Sequence, residues 1–82
     1  MRMVKVSPQP NWVLSIVNED GRVGSFDVQP YLKYQAFEPL RDIREFQTVC
    51  NGGYFVEWDC GADLSADTIE AHWQVRDQLT TA

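Results

Sequence analysis

Basic residues are scarce in this chain, cysteine occurs twice, histidine once, and no long apolar run interrupts its 82 residues. Each shortage removes a class of function. Seven Lys and Arg stand against twelve Asp and Glu, for a formal charge of -5 and a pI near 4.5. Phosphate neutralisation needs a basic face, so direct nucleic-acid binding is not expected. No segment approaches the ~18 apolar residues that span a bilayer, so no membrane role is expected. Arg2 and Lys5 precede no apolar stretch of the kind a signal peptide carries. His72 is the sole histidine, with no Ser or Cys at helical spacing to it, so the chain offers no nucleophile, base and orienting group to assign as catalytic. Cys50 and Cys60 lack the C-x-x-C spacing of a zinc site, and Gly52-Gly53 leads into a strand rather than a helix, which excludes a phosphate loop. No cofactor is expected. Residues 1–82 suffice for one domain and not for a TIM barrel or a complete dinucleotide fold.

What is present is an ordinary globular composition with an uneven charge. Hydrophobic residues make up 44%, including three Trp, three Tyr and four Phe, enough aromatic area to build a core. Residues 1–41 carry five basic and four acidic side chains, whereas residues 42–82 carry two and eight. Between Glu57 and Glu70 lie Asp59, Asp63 and Asp67 with no basic residue. Such a stretch reads as a solvated acidic face, or as a surface that docks onto a basic partner.

Along the chain, Val4 and Val6 alternate with Lys5 as in a strand, until Pro8 and Pro10 break the pattern. Trp12, Leu14 and Ile16 share one side of a second strand, with Val13 and Val17 on the other, which implies partial cover there too. Asn18-Glu19-Asp20-Gly21 is a turn, and Arg22 to Val28 the return strand. Pro30 opens a short helical turn and Glu38-Pro39 another. Asp42 with Glu45 fits an N-cap and its reciprocal acid, and Leu40, Ile43 and Phe46 recur at helical spacing. Thr48–Cys50 and Tyr54–Trp58 read as a hairpin around Asn51-Gly52-Gly53, which sets Cys50 against Gly53 or Phe55 and leaves Cys60 beyond reach of a disulfide. Two free thiols without an export signal point to a reducing cytoplasm. In the second strand Tyr54, Val56 and Trp58 alternate inward, with Phe55 and Glu57 outward. Ser65 caps a last helix whose stripe is Ala66, Ile69 and Trp73; Val75 and Leu79 fall well off it, so either the helix frays after Trp73 or it shows a second apolar face to a partner. The expected fold is α+β: an antiparallel sheet in the order β-β-β-α-β-β-α with the C-terminal helix packed on one face.

The order of these motifs resembles the small bacterial family known as domain of unknown function 2442. The resemblance rests on Val4-Lys5-Val6, Phe26-Asp27-Val28 after a glycine turn, Phe37 through Leu40, Phe46, and the closing Trp58, Gly61 and Asp63-Leu64-Ser65. It spans residues 2–72 and implies an α+β domain without an established reaction. Some members resemble one half of a two-gene toxin–antitoxin module, and others are joined to a helix-turn-helix domain.

These readings lead to a non-enzymatic protein-binding module, the antitoxin-like half of a two-gene system. Its contact residues are expected at Phe55, Glu57, Asp59 and Asp63, facing another protein of basic character. Two alternatives stand beside it. One is a small metal-dependent hydrolase using the Asp59–Asp63 loop, where two carboxylates flank a glycine as hard cations prefer. The other is an accessory subunit of a nucleic-acid-binding regulator. A homo-oligomer is compatible with all three.

Overall fold

The computed structural model describes residues 1–76 and is α+β, with two antiparallel sheets and a few short helices. The larger sheet has the order β1-β2-β3-β7, formed by β1 (Met3–Gln9), β2 (Val13–Asn18), β3 (Val23–Asp27) and β7 (Gln74–Arg76). The smaller is β4-β5-β6, formed by β4 (Cys50–Asn51), β5 (Phe55–Glu57) and β6 (Asp63–Ser65). Between β3 and β4 run two 3-10 turns, Gln29–Tyr31 and Gln35–Arg41, and α1 (Ile43–Phe46); α2 (Ala66–His72) lies between β6 and β7. This replaces the single sheet expected from the sequence. Asp63–Ser65 and Gln74–Arg76 each hold three residues, too few to show a period of two, and they become strands through their partners.

Alternation in β2 follows the sequence, and β3 buries Gly24 and Phe26 against it. Leu14, Ile16 and Phe26 are buried on the inner face. β1 departs from it, because its register shifts between Met3 and Lys5, so Met3 is buried and Val4 is left 49% exposed. Pro8 does not end this strand; β1 is an edge of the sheet, where a missing backbone donor is tolerated. Gly21 (φ 91°) closes the β2–β3 turn as its sequence implies. Asn11 and Trp12 both take positive φ, and Trp12 is held there by its indole Nε1, which donates to the Leu40 carbonyl at 2.6 Å.

Leu40, Ile43 and Phe46 do not share one helix face. Asp42 is extended (ψ 116°) and separates the 3-10 turn from α1, so Leu40 and Phe46 are buried and Ile43 is 38% exposed. Asp42 caps α1 by accepting from the Arg44 N–H at 2.9 Å, and that bond holds its carboxyl below the usual carboxylate range, helped by the charge of Arg44. Glu45 does not complete the reciprocal bond, since the Asp42 N–H donates to Pro39.

The core joins both sheets. Trp58 (2% exposed) stacks on Phe46 at 6.1 Å, meets the edge of Phe37 at 6.5 Å, and donates its Nε1–H to the Phe46 carbonyl at 2.9 Å. Ala66 and Ile69 of α2 are buried with them, and Ser65 caps that helix by accepting from the Thr68 N–H at 3.1 Å. The helix ends at His72 with Trp73 as its C-cap, in keeping with the alternative that it frays there. Val75 lies off its stripe because it belongs to β7, opposite Gly24 of β3. Trp73 lays its ring on Gly24, where a Cβ would come within 2.5 Å of it. Leu79 lies outside the described residues.

Candidate functional site

The three residues of β5 divide sharply: Val56 is fully buried, while Phe55 and Glu57 are exposed. β6 repeats the division, with Leu64 inward and Asp63 and Ser65 outward. The register then assembles an outer face in two rows. Cys50, Glu57 and Asp63 stand side by side across the three strands, and Phe55 stands opposite Ser65. Phe55, Glu57 and Asp63, singled out from the sequence, are thus neighbours on one surface. Glu57 and Asp63 are directly opposed like charges, and among the described residues neither engages in an ion pair.

The hairpin differs in register from the sequence expectation. Cys50 faces Glu57, not Gly53 or Phe55, because the turn runs from Gly52 to Phe55, closed by the Gly52 N–H on the Phe55 carbonyl at 2.8 Å. Asn51 shapes it by accepting from the Gly53 N–H and donating to the Met3 carbonyl, which ties the small sheet to β1. Tyr54 falls in this turn and is 65% exposed, so it is not an inward residue. Phe55 is 43% exposed, with its ring folded over Gly52; a Cβ there would overlap the ring. It is therefore both a surface aromatic and the cover of a bare stretch of backbone.

Asp59 stands in the β5–β6 turn, beyond the end of β5. Trp58 and Ala62 pair across the turn, Gly61 takes φ 94°, and the Asp59 N–H donates to Thr48 Oγ1 at 3.0 Å. Asp59 shares this loop with the exposed Cys60, while Asp63 has already entered β6. Both thiols are free. Among the described residues no group of three or more His, Cys, Asp or Glu is placed to hold a metal ion. No described helix is long and apolar enough to cross a membrane.

A second feature lies elsewhere. A hollow of about 340 Å³ is lined by Phe26, Asp27, Tyr31, Lys33, Tyr34 and His72. Tyr31 packs at 5.6 Å from Phe26 and 6.3 Å from Tyr34, and Lys33 Nζ sits 5.4 Å over the Tyr34 ring. Little in the sequence announces this hollow. Its signal is Tyr31-x-x-Tyr34 in a turn opened by Pro30, whereas Asp27 and His72 join it from distant elements.

The family described as "Protein of unknown function (DUF2442)" matches residues 3–75. No curated protein and no solved structure matches the chain.

Proposed function

We propose, from the premise that this chain belongs to the DUF2442 family, that it is a non-enzymatic module which binds a basic protein through the outer face of its small sheet. The observation that carries this reading is the Glu57–Asp63 pair. Like charges at directly opposed cross-strand positions destabilise a sheet, and a cationic partner turns that repulsion into attraction. Phe55 beside them supplies apolar contact area, and Asp59 extends the acidic rim into the turn. The family resemblance supports the narrower version, an antitoxin-like half of a two-gene system. The exposed free thiols of Cys50 and Cys60 support a reducing cytoplasm as its place.

The chain isolated from its native host should carry a stoichiometric basic protein. Rim charges act on association and a central aromatic on dissociation. Phe55→Ala should therefore speed release, and Asp59→Asn with Asp63→Asn should slow association at low salt, with the far-UV spectrum unchanged. A partner that binds all these variants like wild type would place the contact elsewhere. A monomer retaining a stoichiometric divalent cation would favour hydrolysis at the Asp59–Asp63 loop instead.

A further inference from the structure

The hollow beside β3 is built from rings tied to the core. Pro30 lies in the Gln29–Tyr31 turn, where the Tyr31 N–H donates to the Val28 carbonyl at 2.9 Å. Tyr31 packs against Phe26 and also meets the edge of Phe37 at 5.8 Å, and Phe37 in turn meets Trp58. The Tyr34 N–H donates to the Tyr31 carbonyl at 3.0 Å, and Arg41 Nε donates to the Leu32 carbonyl at 3.1 Å. The turn that carries Lys33 and Tyr34 is therefore held at two points. A volume of about 340 Å³ lies at the small end of the range for ligand sites.

Two opposite charges line this hollow and do not meet. Asp27 comes from the end of β3 and Lys33 from the turn. Among the described residues neither side chain engages in an ion pair. Asp27 Oδ1 accepts from the Gln29 N–H at 3.0 Å, which orients the carboxylate, and no described donor engages Oδ2. Asp27 and His72 also border a second hollow of about 280 Å³, so the carboxylate has open space beside it in both directions. Lys33 Nζ lies over the exposed ring of Tyr34.

We propose that this hollow binds a free amino acid with an aromatic side chain. Such a molecule carries an ammonium, a carboxylate and a ring on one short frame. The ammonium complements Asp27, the carboxylate complements Lys33, and the ring packs offset or edgewise against Tyr31 and Tyr34. Ligands of a single charge fit less well. A cation meets Lys33, an anion meets Asp27, and a neutral molecule covers both charges without pairing either. The site is small and open, so the dissociation constant is on the order of 1 mM. It shares no residue with the acidic face of the small sheet, so the two sites can fail separately.

Titration of the isotope-labelled chain with L-phenylalanine, at about pH 8 where an ordinary imidazole is neutral, should saturate. It should move the amide signals of Asp27, Tyr31, Lys33 and Tyr34. Phenethylamine lacks the carboxylate, phenylpropionate lacks the ammonium and glycine lacks the ring; each should bind at least ~tenfold more weakly. Asp27→Asn keeps the Oδ1 acceptor for Gln29, and Lys33→Met keeps the apolar stem over Tyr34, so neither disturbs the turn. Each should weaken L-phenylalanine at least ~tenfold. Asp27→Asn should bind phenylpropionate, and Lys33→Met phenethylamine, no more weakly than wild type does. A titration of wild type without saturation up to ~20 mM would overturn the proposal. So would any of the three analogues matching L-phenylalanine, shifts that map outside the hollow, or folded variants that bind L-phenylalanine unchanged.

Discussion

Replacing Trp58 tests the centre of this fold most directly. Its indole is almost wholly buried between Phe46 and Phe37, with its N–H spent on the Phe46 carbonyl. A buried Trp removes ~200 Å² from water, which at ~25 cal/mol per Å² is about 5 kcal/mol. Trp58→Ala should therefore cost ~3–5 kcal/mol, the range found for aromatic truncations in cores. A chain of this length holds ~4–12 kcal/mol in all, so the loss takes from about a quarter of that stability to all of it. Trp58→Phe separates packing from hydrogen bonding. It keeps a ring against Phe46 but leaves the Phe46 carbonyl without its donor, at ~1–3 kcal/mol. Urea unfolding followed by far-UV circular dichroism reads both variants without relying on the indole that was removed. The expected order of midpoints is wild type, Phe, Ala, with a common slope. An Ala variant within ~1 kcal/mol of wild type would refute the burial argument. Equal losses in Phe and Ala would refute the assignment of most of the effect to packed area.

Three further outcomes follow from local geometry. Gly24→Ala should destabilise by ~1–3 kcal/mol, because the added Cβ meets both the Trp73 ring and the Gln74 carbonyl, and a melt indistinguishable from wild type would show Trp73 free to move away. Ser65→Ala should remove the cap of α2 and cost ~1 kcal/mol, read by thermal denaturation, whereas Ser65→Asp should restore most of it. Asp42 binds a proton less readily folded than unfolded, so its contribution is complete above the ordinary carboxylate range and fades as pH falls through its lowered value. Stability measured against pH should therefore drop less on the acid side in Asp42→Ala than in wild type.

Local chemistry was legible wherever a residue acts on its own neighbours. The Asn18–Gly21 turn, the caps at Asp42 and Ser65, and the inward side of β2 all follow from contacts a few residues apart. The outward placement of Phe55 and Glu57 follows likewise from alternation, which a strand imposes whatever it pairs with. The family was legible from motif order, and the match over residues 3–75 agrees with it.

Partnership between distant segments was decided by the tertiary structure. No periodicity within Asp63–Ser65 distinguishes a strand from a loop; β5 makes it one, and so sets Asp63 against Glu57. Likewise the off-stripe Val75 leaves the end of the helix open, and the edge of β3 draws Gln74–Arg76 into the larger sheet. The turn at Gly52–Phe55 shifts the hairpin register and leaves Tyr54 exposed, because Asn51 is also held to Met3, 48 residues away. Composition and short-range pattern determine which residues seek burial. Which backbone edges meet depends on loop closure and core packing across the whole chain, energies that no single window of sequence contains.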